Sequence, residues 1–112
     1  MKGVALNRKL VLEEPLQTPD GAGGYSESWV PLGTLWAEVS PGTGSESAGQ
    51  FLTLSSVPYK ITVRGAPEGA PSRPKPDQRF REGTRIYHIL AVAERDTQGS
   101  YLTCFAREEV AS

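Results

Sequence analysis

The sequence has 112 residues and a formal net charge of −1, with 38% hydrophobic and 22% charged residues. This length fits one domain, residues 1–112, with a thin core, because small domains bury a modest share of their surface. No Lys or Arg occurs between Lys9 and Lys60, a span with six acidic residues. That distribution disfavours a surface that grips nucleic acid, which needs clustered cations to neutralise phosphates.

The single cysteine, Cys104, excludes an internal disulfide and a thiolate-rich metal site. Its apolar neighbours predict a small buried residue in a strand. Neither a signal-peptide pattern nor a run of about 18 apolar residues occurs in the sequence. We therefore expect a soluble protein without a membrane contact, made in the cytoplasm.

The chain begins with a short apolar run. Residues 8–14 predict a strand that ends at Pro15. Residues 18–24 contain Pro, Asp-Gly and Gly-Gly, which are typical of a turn. We expect a hairpin here, because a phosphate-binding loop would need a following helix and a cation.

Two strand signals follow the turn. Residues 25–30 predict a strand that Pro31 and Gly33 break or bulge. Residues 34–39 alternate cleanly, with their even-numbered positions on one face and their odd-numbered apolar positions on the other. A long connection of low charge, residues 42–56, comes next.

The second half has three further strand signals. Residues 59–64 alternate, with Tyr59 on the inward face, and residues 65–78 contain four prolines and predict an exposed loop. Residues 79–81 and 85–94 predict a hairpin whose turn contains Gly83. The second strand of this hairpin is apolar on both faces, which predicts the most buried strand. Residues 100–107 predict a final strand.

These short strands, with turn signals between them and no amphipathic helix of ten or more residues, predict an all-β fold. We expect a small β-barrel or sandwich of antiparallel strands with long inserted loops.

The residues that could support catalysis are few. His88 is the sole histidine, without metal-ligand spacing around it, and no serine lies in a Gly-x-Ser-x-Gly setting. The adjacent pairs Glu13/Glu14 and Glu108/Glu109 point to opposite faces of a strand and are explained by solvated edges. We expect no catalytic, cofactor-binding or metal-binding residue, and hence not an enzyme.

The two tryptophans, Trp29 and Trp36, are expected to lie in the core or at a subunit contact. A base-stacking site normally has cationic side chains beside it, and their segment of the sequence has none.

Five sequence blocks, in order, carry a resemblance that covers residues 6–108. They are Leu6-Asn7-Arg8-Lys9-Leu10-Val11-Leu12, the Asp20–Trp29 block with its glycines, Leu35-Trp36-Ala37-Glu38-Val39, Tyr59-Lys60-Ile61-Thr62-Val63-Arg64, and the Arg79–Val92 block with Gly83, Tyr87 and Ile89. This arrangement resembles the phage head–tail joining family, which includes the head-closure or stopper proteins of siphophages and gene-transfer particles. The proline-rich insert is longer, and residues 48–54 less charged, than that family leads us to expect.

The resemblance implies a virion structural protein of the neck, made in a bacterial cytoplasm. It implies a homo-oligomeric ring, a hexamer, below the portal and adaptor, with the tail terminator or tail tube on the other side. DNA would pass through without sequence-specific binding. The loop of residues 42–56 would project into the channel and plug it, through Gly44, Ser45, Glu46, Ser47, Gln50 and Phe51.

For the remaining residues, the expected structural or subunit-contact positions are Trp29, Trp36, Tyr59, Gly83 and Tyr87. Two alternatives stay open. The chain could be a neighbouring neck or tail-terminator ring protein, or a small nucleic-acid-binding β-barrel.

Overall fold

The structure is a computed structural model that describes residues 3–42 and 56–109. The expected channel residues from Gly44 to Phe51 lie outside the described residues. The described chain forms six strands: β1 (Arg8–Pro19), β2 (Tyr25–Pro41), β3 (Ser56–Arg64), β4 (Arg79–Glu82), β5 (Arg85–Glu94) and β6 (Tyr101–Glu109).

The six strands form one antiparallel sheet that closes on itself in the order β1-β2-β3-β6-β5-β4. Closure pairs β4 with β1 over residues 11–13, so the barrel has no free sheet edge at that level. No helix occurs in the described part of the chain. The predicted all-β fold is confirmed.

The two strands predicted at residues 25–30 and 34–39 are one continuous strand, β2. The register of β1 against β2 shifts between Leu12 and Glu13, because Gly33 faces Leu12 whereas Pro31 faces Glu13. Leu32 is therefore the extra residue of a bulge. The expected bulge at Pro31 and Gly33 is present, and it bends the strand without ending it.

The core fills the barrel interior with alternate residues from every strand. Ile61 and Val63 point inward from β3 as predicted, and Tyr59 packs against the same cluster. Cys104 is fully buried, and burial raises the pKa of its thiol to about 12, so the thiol stays protonated and inert. The buried hydrophobic residues are Leu10, Leu12, Ala37, Ile61, Val63, Phe80, Tyr87, Ile89, Leu102, Cys104 and Ala106.

The prediction that β5 is the most buried strand is wrong. Tyr87 and Ile89 point into the core, but Leu90 is 54% exposed. A register shift between Ile89 and Ala91 turns Leu90 outward and brings Val92 back against the core. A strand in a closed barrel has one face on the core and one on the outside, so no strand is buried on both faces. The unbroken apolar run in β5 is instead explained by the bulge, which leaves one apolar residue, Leu90, on the outside.

Candidate functional site

A two-stranded hairpin projects from one end of the barrel. β1 pairs with β4 only as far as Glu13, and β2 pairs with β3 only from Ala37 onward. Residues 14–19 and 25–30 therefore pair with each other alone among the described strands. We call residues 14–30 the projecting hairpin. It helps make the molecule elongated, with extents of 56 × 37 × 24 Å.

The surface of the projecting hairpin is acidic and partly apolar. Leu16 is 49% exposed and Tyr25 is 68% exposed. Glu14, Asp20 and Glu27 are exposed, and the hairpin contains no Lys or Arg. The hairpin thus carries two large exposed apolar side chains, one on each face because Leu16 pairs with Ser28, together with a net negative charge.

The tip of the hairpin is held by Asp20. Its Oδ1 accepts hydrogen bonds from the backbone N–H groups of Ala22 at 2.8 Å and Gly24 at 3.0 Å. These two bonds lower the pKa of Asp20 below its usual value, so the tip stays negatively charged.

The base of the hairpin is fixed by Trp29. The Arg79 guanidinium lies 4.1 Å from the centre of the Trp29 ring, and the His88 ring lies edge-on at 6.1 Å. His88 is also within hydrogen-bond distance of Glu109, with Nε2 2.8 Å from the carboxylate oxygen. Trp29 is half-buried on the outer surface, and His88 is a partly exposed residue with a carboxylate partner.

The interpretation of Glu13 as a solvated edge residue is wrong. Glu13 is 4% exposed and accepts hydrogen bonds from Arg79 Nε at 2.7 Å and Arg81 Nε at 2.9 Å. Burial acts to raise its pKa, but the two arginines outweigh burial and hold the pKa below its usual value of 4.5. Glu14, its neighbour in sequence, is exposed as expected.

Trp36 lies on the outer face of β2, 54% exposed, so it is not a core residue. Lys9 is its partner across the β1–β2 pair, with Nζ 5.7 Å from the ring centre. Leu6 and Arg64 line the same hollow beside the indole. We call Leu6, Lys9, Trp36 and Arg64 the Trp36 patch. Both cations come from neighbouring strands, Lys9 from β1 and Arg64 from β3. Neither is close to Trp36 in the sequence, so the sequence alone did not predict a cation beside it.

The other expected structural residues, Tyr59, Gly83 and Tyr87, lie at the end of the barrel opposite the projecting hairpin. Tyr87 is fully buried, with its ring 5.4 Å from that of the half-buried Tyr59 in an edge-on contact. Arg85 lies over both rings, at 5.3 and 5.9 Å, and donates to Glu108 at 2.7 Å. The hydrogen bond from Arg85 lowers the pKa of Glu108 below its usual value. Tyr87 is thus part of the interior and Glu108 is an ion-pair residue.

This end also carries the tight turn and the base of the long loop. Gly83 adopts φ +62° in the turn between β4 and β5. Arg8 pairs with Glu82 beside that turn at 2.6 Å. The N–H of Gly42, where the loop leaves β2, donates to the Pro58 carbonyl at 3.0 Å. The loop therefore leaves the end of β2 that is opposite the projecting hairpin.

Within residues 3–42 and 56–109, no three His, Cys, Asp or Glu side chains cluster in a way that could hold a metal ion. In the same ranges no helix has the length and apolarity needed to cross a bilayer.

Comparisons with known proteins agree with this all-β architecture. A chain of the virion of a native gene transfer agent particle is 62% identical, with a TM-score of 0.79 over 96% of this chain and 98% of that one. The solution structure of a protein from Shigella flexneri 2a is 23% identical, with a TM-score of 0.67 over 96% of both chains, and shows the same fold. A comparison with curated proteins found no match.

The family comparison covers almost the whole chain. The model of the phage head completion protein family matches residues 1–109. This match confirms the resemblance and the expected virion class of protein. Together with the gene-transfer-agent neighbour, it shows that this chain belongs to the phage head completion protein family.

Proposed function

We propose that this chain is a head-closure, or stopper, subunit of a tailed-phage-like particle. Copies of it form a homo-oligomeric ring, a hexamer, below the portal and adaptor. The ring closes the DNA-filled head and presents a docking surface to the tail. The single observation that carries this proposal is the match of residues 1–109 to the head completion family.

The architecture supports a structural role. The closed barrel has the projecting hairpin at one end, and Gly42 and Pro58, which flank the connection from β2 to β3, meet at the other end. Chain segments that leave a barrel from opposite ends suit a subunit that contacts neighbours in a stack of rings. The 62% identical chain from a gene transfer agent virion supports placing this chain in a particle of the same kind.

In this proposal the loop of residues 42–56 projects into the DNA channel. Its glycines permit hinge conformations, and Ser45, Ser47 and Gln50 supply neutral polar contacts. The loop contains no Lys or Arg, and Glu46 repels phosphate. DNA would therefore be blocked sterically and could slide past once the loop moves, because no ion pair retains it.

The test is DNA retention in particles that carry a loop variant. Deletion of residues 45–51 should leave the barrel folded and the chain at the neck, visible by antibody labelling in negative stain, while packaged DNA leaks from the heads. A replacement of the same seven positions with Gly and Ser is the matched control, since it keeps the length and should restore most of the retention.

Either of two results would count against the proposal. Full DNA retention in the deletion variant would remove the plug role of the loop. Absence of the wild-type chain from the neck of every particle would remove the head-closure function altogether.

A further inference from the structure

We propose that the projecting hairpin of one copy docks on the Trp36 patch of a second copy of this chain, in a contact that repeats head to tail. The inference rests on the proposed ring function and names the two surfaces that would build the ring.

Beyond its base at Trp29, the projecting hairpin has no strand partner other than its own two strands among the described residues. Two-stranded hairpins are at best marginally stable when they stand alone in water. Leu16 and Tyr25 leave about half or more of their surface in solvent, although both are large. Leu16 pairs with Ser28 and therefore lies on the face opposite Tyr25. A neighbouring surface on the Tyr25 face would cover the more exposed of the two side chains and stabilise the hairpin.

The hairpin should dock through its side chains and not by strand addition. Pro15 and Pro19 in β1 and Pro31 in β2 lack the N–H that an added strand would need. Prolines of this kind protect sheet edges against pairing with another chain.

The contact of Trp29 at the base of the hairpin fixes the orientation of the hairpin face that carries Tyr25 and Glu27. Tyr25, Glu27 and Trp29 alternate along β2 and therefore share a face. Because Trp29 is stacked on Arg79 at 4.1 Å, this anchor fixes the direction in which Tyr25 and Glu27 project. The face presents one aromatic ring with one carboxylate beside it.

The Trp36 patch is aromatic and positively charged, which complements the aromatic and negatively charged face of the hairpin. It presents one exposed indole between two cations, Lys9 and Arg64, with the apolar Leu6 at its margin. The Tyr25 face of the projecting hairpin supplies the Glu27 carboxylate, the tip supplies Asp20, and the hairpin contains no cation. Interfaces are enriched in aromatic residues and Arg at their centres, and complementary charge selects the partner and sets the register.

The hairpin of a copy cannot reach the Trp36 patch of the same copy. Tyr25 and Trp36 lie on the same strand, 36 − 25 = 11 residues apart, which is about 36 Å at the rise of an extended strand. Two different surfaces that meet only between copies make a heterologous contact. Such a contact generates a ring when the rotation closes.

The test uses cysteine pairs in assembled particles. Glu27→Cys and Lys9→Cys in one chain keep Tyr25 and Trp36 in place, and the native Cys104 is fully buried and does not compete. After oxidation, a non-reducing denaturing gel should show most of the chain in a ladder above the dimer, which reductant reverses. Each single variant should stay monomeric. The control pairs Glu27→Cys with Thr84→Cys, an exposed residue in the turn after β4, and should give no ladder.

The outcomes separate this inference from the proposed function. A dimer band alone would mean a closed two-fold contact and overturn the head-to-tail arrangement. A monomer band from chains that are present at the neck would overturn the docking and leave the ring function standing. Absence of the wild-type chain from particles would overturn the proposed function, and this inference with it.

A charge swap gives a second, independent test. Glu27→Lys alone and Lys9→Glu alone should each reduce incorporation into particles at least tenfold, and the two together should restore it. Failure of the double variant to recover would overturn the pairing. Binding of a single-stranded oligonucleotide that Trp36→Ala abolishes, with assembly unchanged, would assign the patch to nucleic acid and also overturn the proposal.

Discussion

β1 and β2 run through both the barrel and the projecting hairpin, and their pairing and burial differ between the two regions. Over residues 11–13, β1 has a partner on each side, β2 and β4, and Leu12 there is buried, as is Leu10 just before it. Beyond Glu13 it has β2 alone, and Leu16 is half exposed. The energy that holds the fold is therefore concentrated in the barrel, where burial and pairing are complete. The hairpin remains free to gain its contacts from another molecule.

Glu13 lies at the boundary between these regions, and its loss should have the largest effect. Glu13→Gln leaves Arg79 and Arg81 without the carboxylate that joins β1 to β4. We expect a loss of about 2–3 kcal/mol in the free energy of unfolding, below the full cost of breaking a buried pair because Arg81 is partly exposed. Urea denaturation at neutral pH measures it.

The pH dependence of the stability difference and the substitution Glu14→Gln serve as controls. The folded state lowers the pKa of Glu13, so its stabilisation is present above the usual value of 4.5 and is lost as the pH falls through the lower folded pKa. The gap between wild type and Glu13→Gln should close at that low pH. Glu14→Gln, on the exposed neighbour, should change stability by less than about 0.5 kcal/mol at any pH. An equal effect of the two substitutions would contradict the claim that the buried barrel ends at Glu13 and the exposed hairpin begins at Glu14.

Glu13 also shows where sequence reasoning stops. Adjacent glutamates at the end of a strand are ordinary solvated residues unless a cation approaches, and here the cations lie 66 and 68 residues away in β4. Trp36 repeats the lesson, since its cations belong to β1 and β3. Alternation predicted the inward face of β3 and separated the two faces of residues 34–39 in β2, because it is a local property of each strand. Cross-strand neighbours depend on register, which closure of the barrel fixes.

The hairpin boundaries were also predicted only in part. A strand ending at Pro15 is the local expectation, yet β1 continues to Pro19. Proline is tolerated there because this stretch of β1 has no second neighbour to bond among the described strands. The turn at Gly83 was predicted from local chemistry alone, and the structure places it as expected.

Two matched glycine substitutions, one in the barrel and one in the hairpin, test the same comparison. Each is expected to add backbone strain of about half the unfolding free energy that Glu13→Gln costs. Gly83 has φ +62° in the barrel turn and Gly23 has φ +89° at the hairpin tip, and a Cβ would meet no atom within 4 Å at either position. Alanine therefore adds similar backbone strain, about 1 kcal/mol, at both. Gly83→Ala should lower the global stability by that amount, because the turn belongs to the cooperative unit.

Gly23→Ala should leave the global midpoint unchanged. Its strain is relieved by local opening of the hairpin, which native-state hydrogen exchange would detect as faster exchange confined to residues 16–28. If both variants shift the thermal midpoint equally, the hairpin and the barrel unfold as one unit and the division of roles fails.

Shortening the hairpin should have the smallest effect on stability and a large one on assembly. Replacement of residues 17–27 by Asn-Gly joins Leu16 to Ser28, which face each other in the register, through a two-residue turn that suits antiparallel strands. Trp29 and its stack on Arg79 remain. The unfolding free energy should therefore change by less than about 0.5 kcal/mol, because nearly all the removed residues are exposed and their strand residues pair only with each other among the described strands. The same variant should fail to enter particles, because Tyr25 and Glu27 are gone. A shortened chain that folds and assembles normally would show that the hairpin is dispensable, whereas one that unfolds would show that the barrel depends on it.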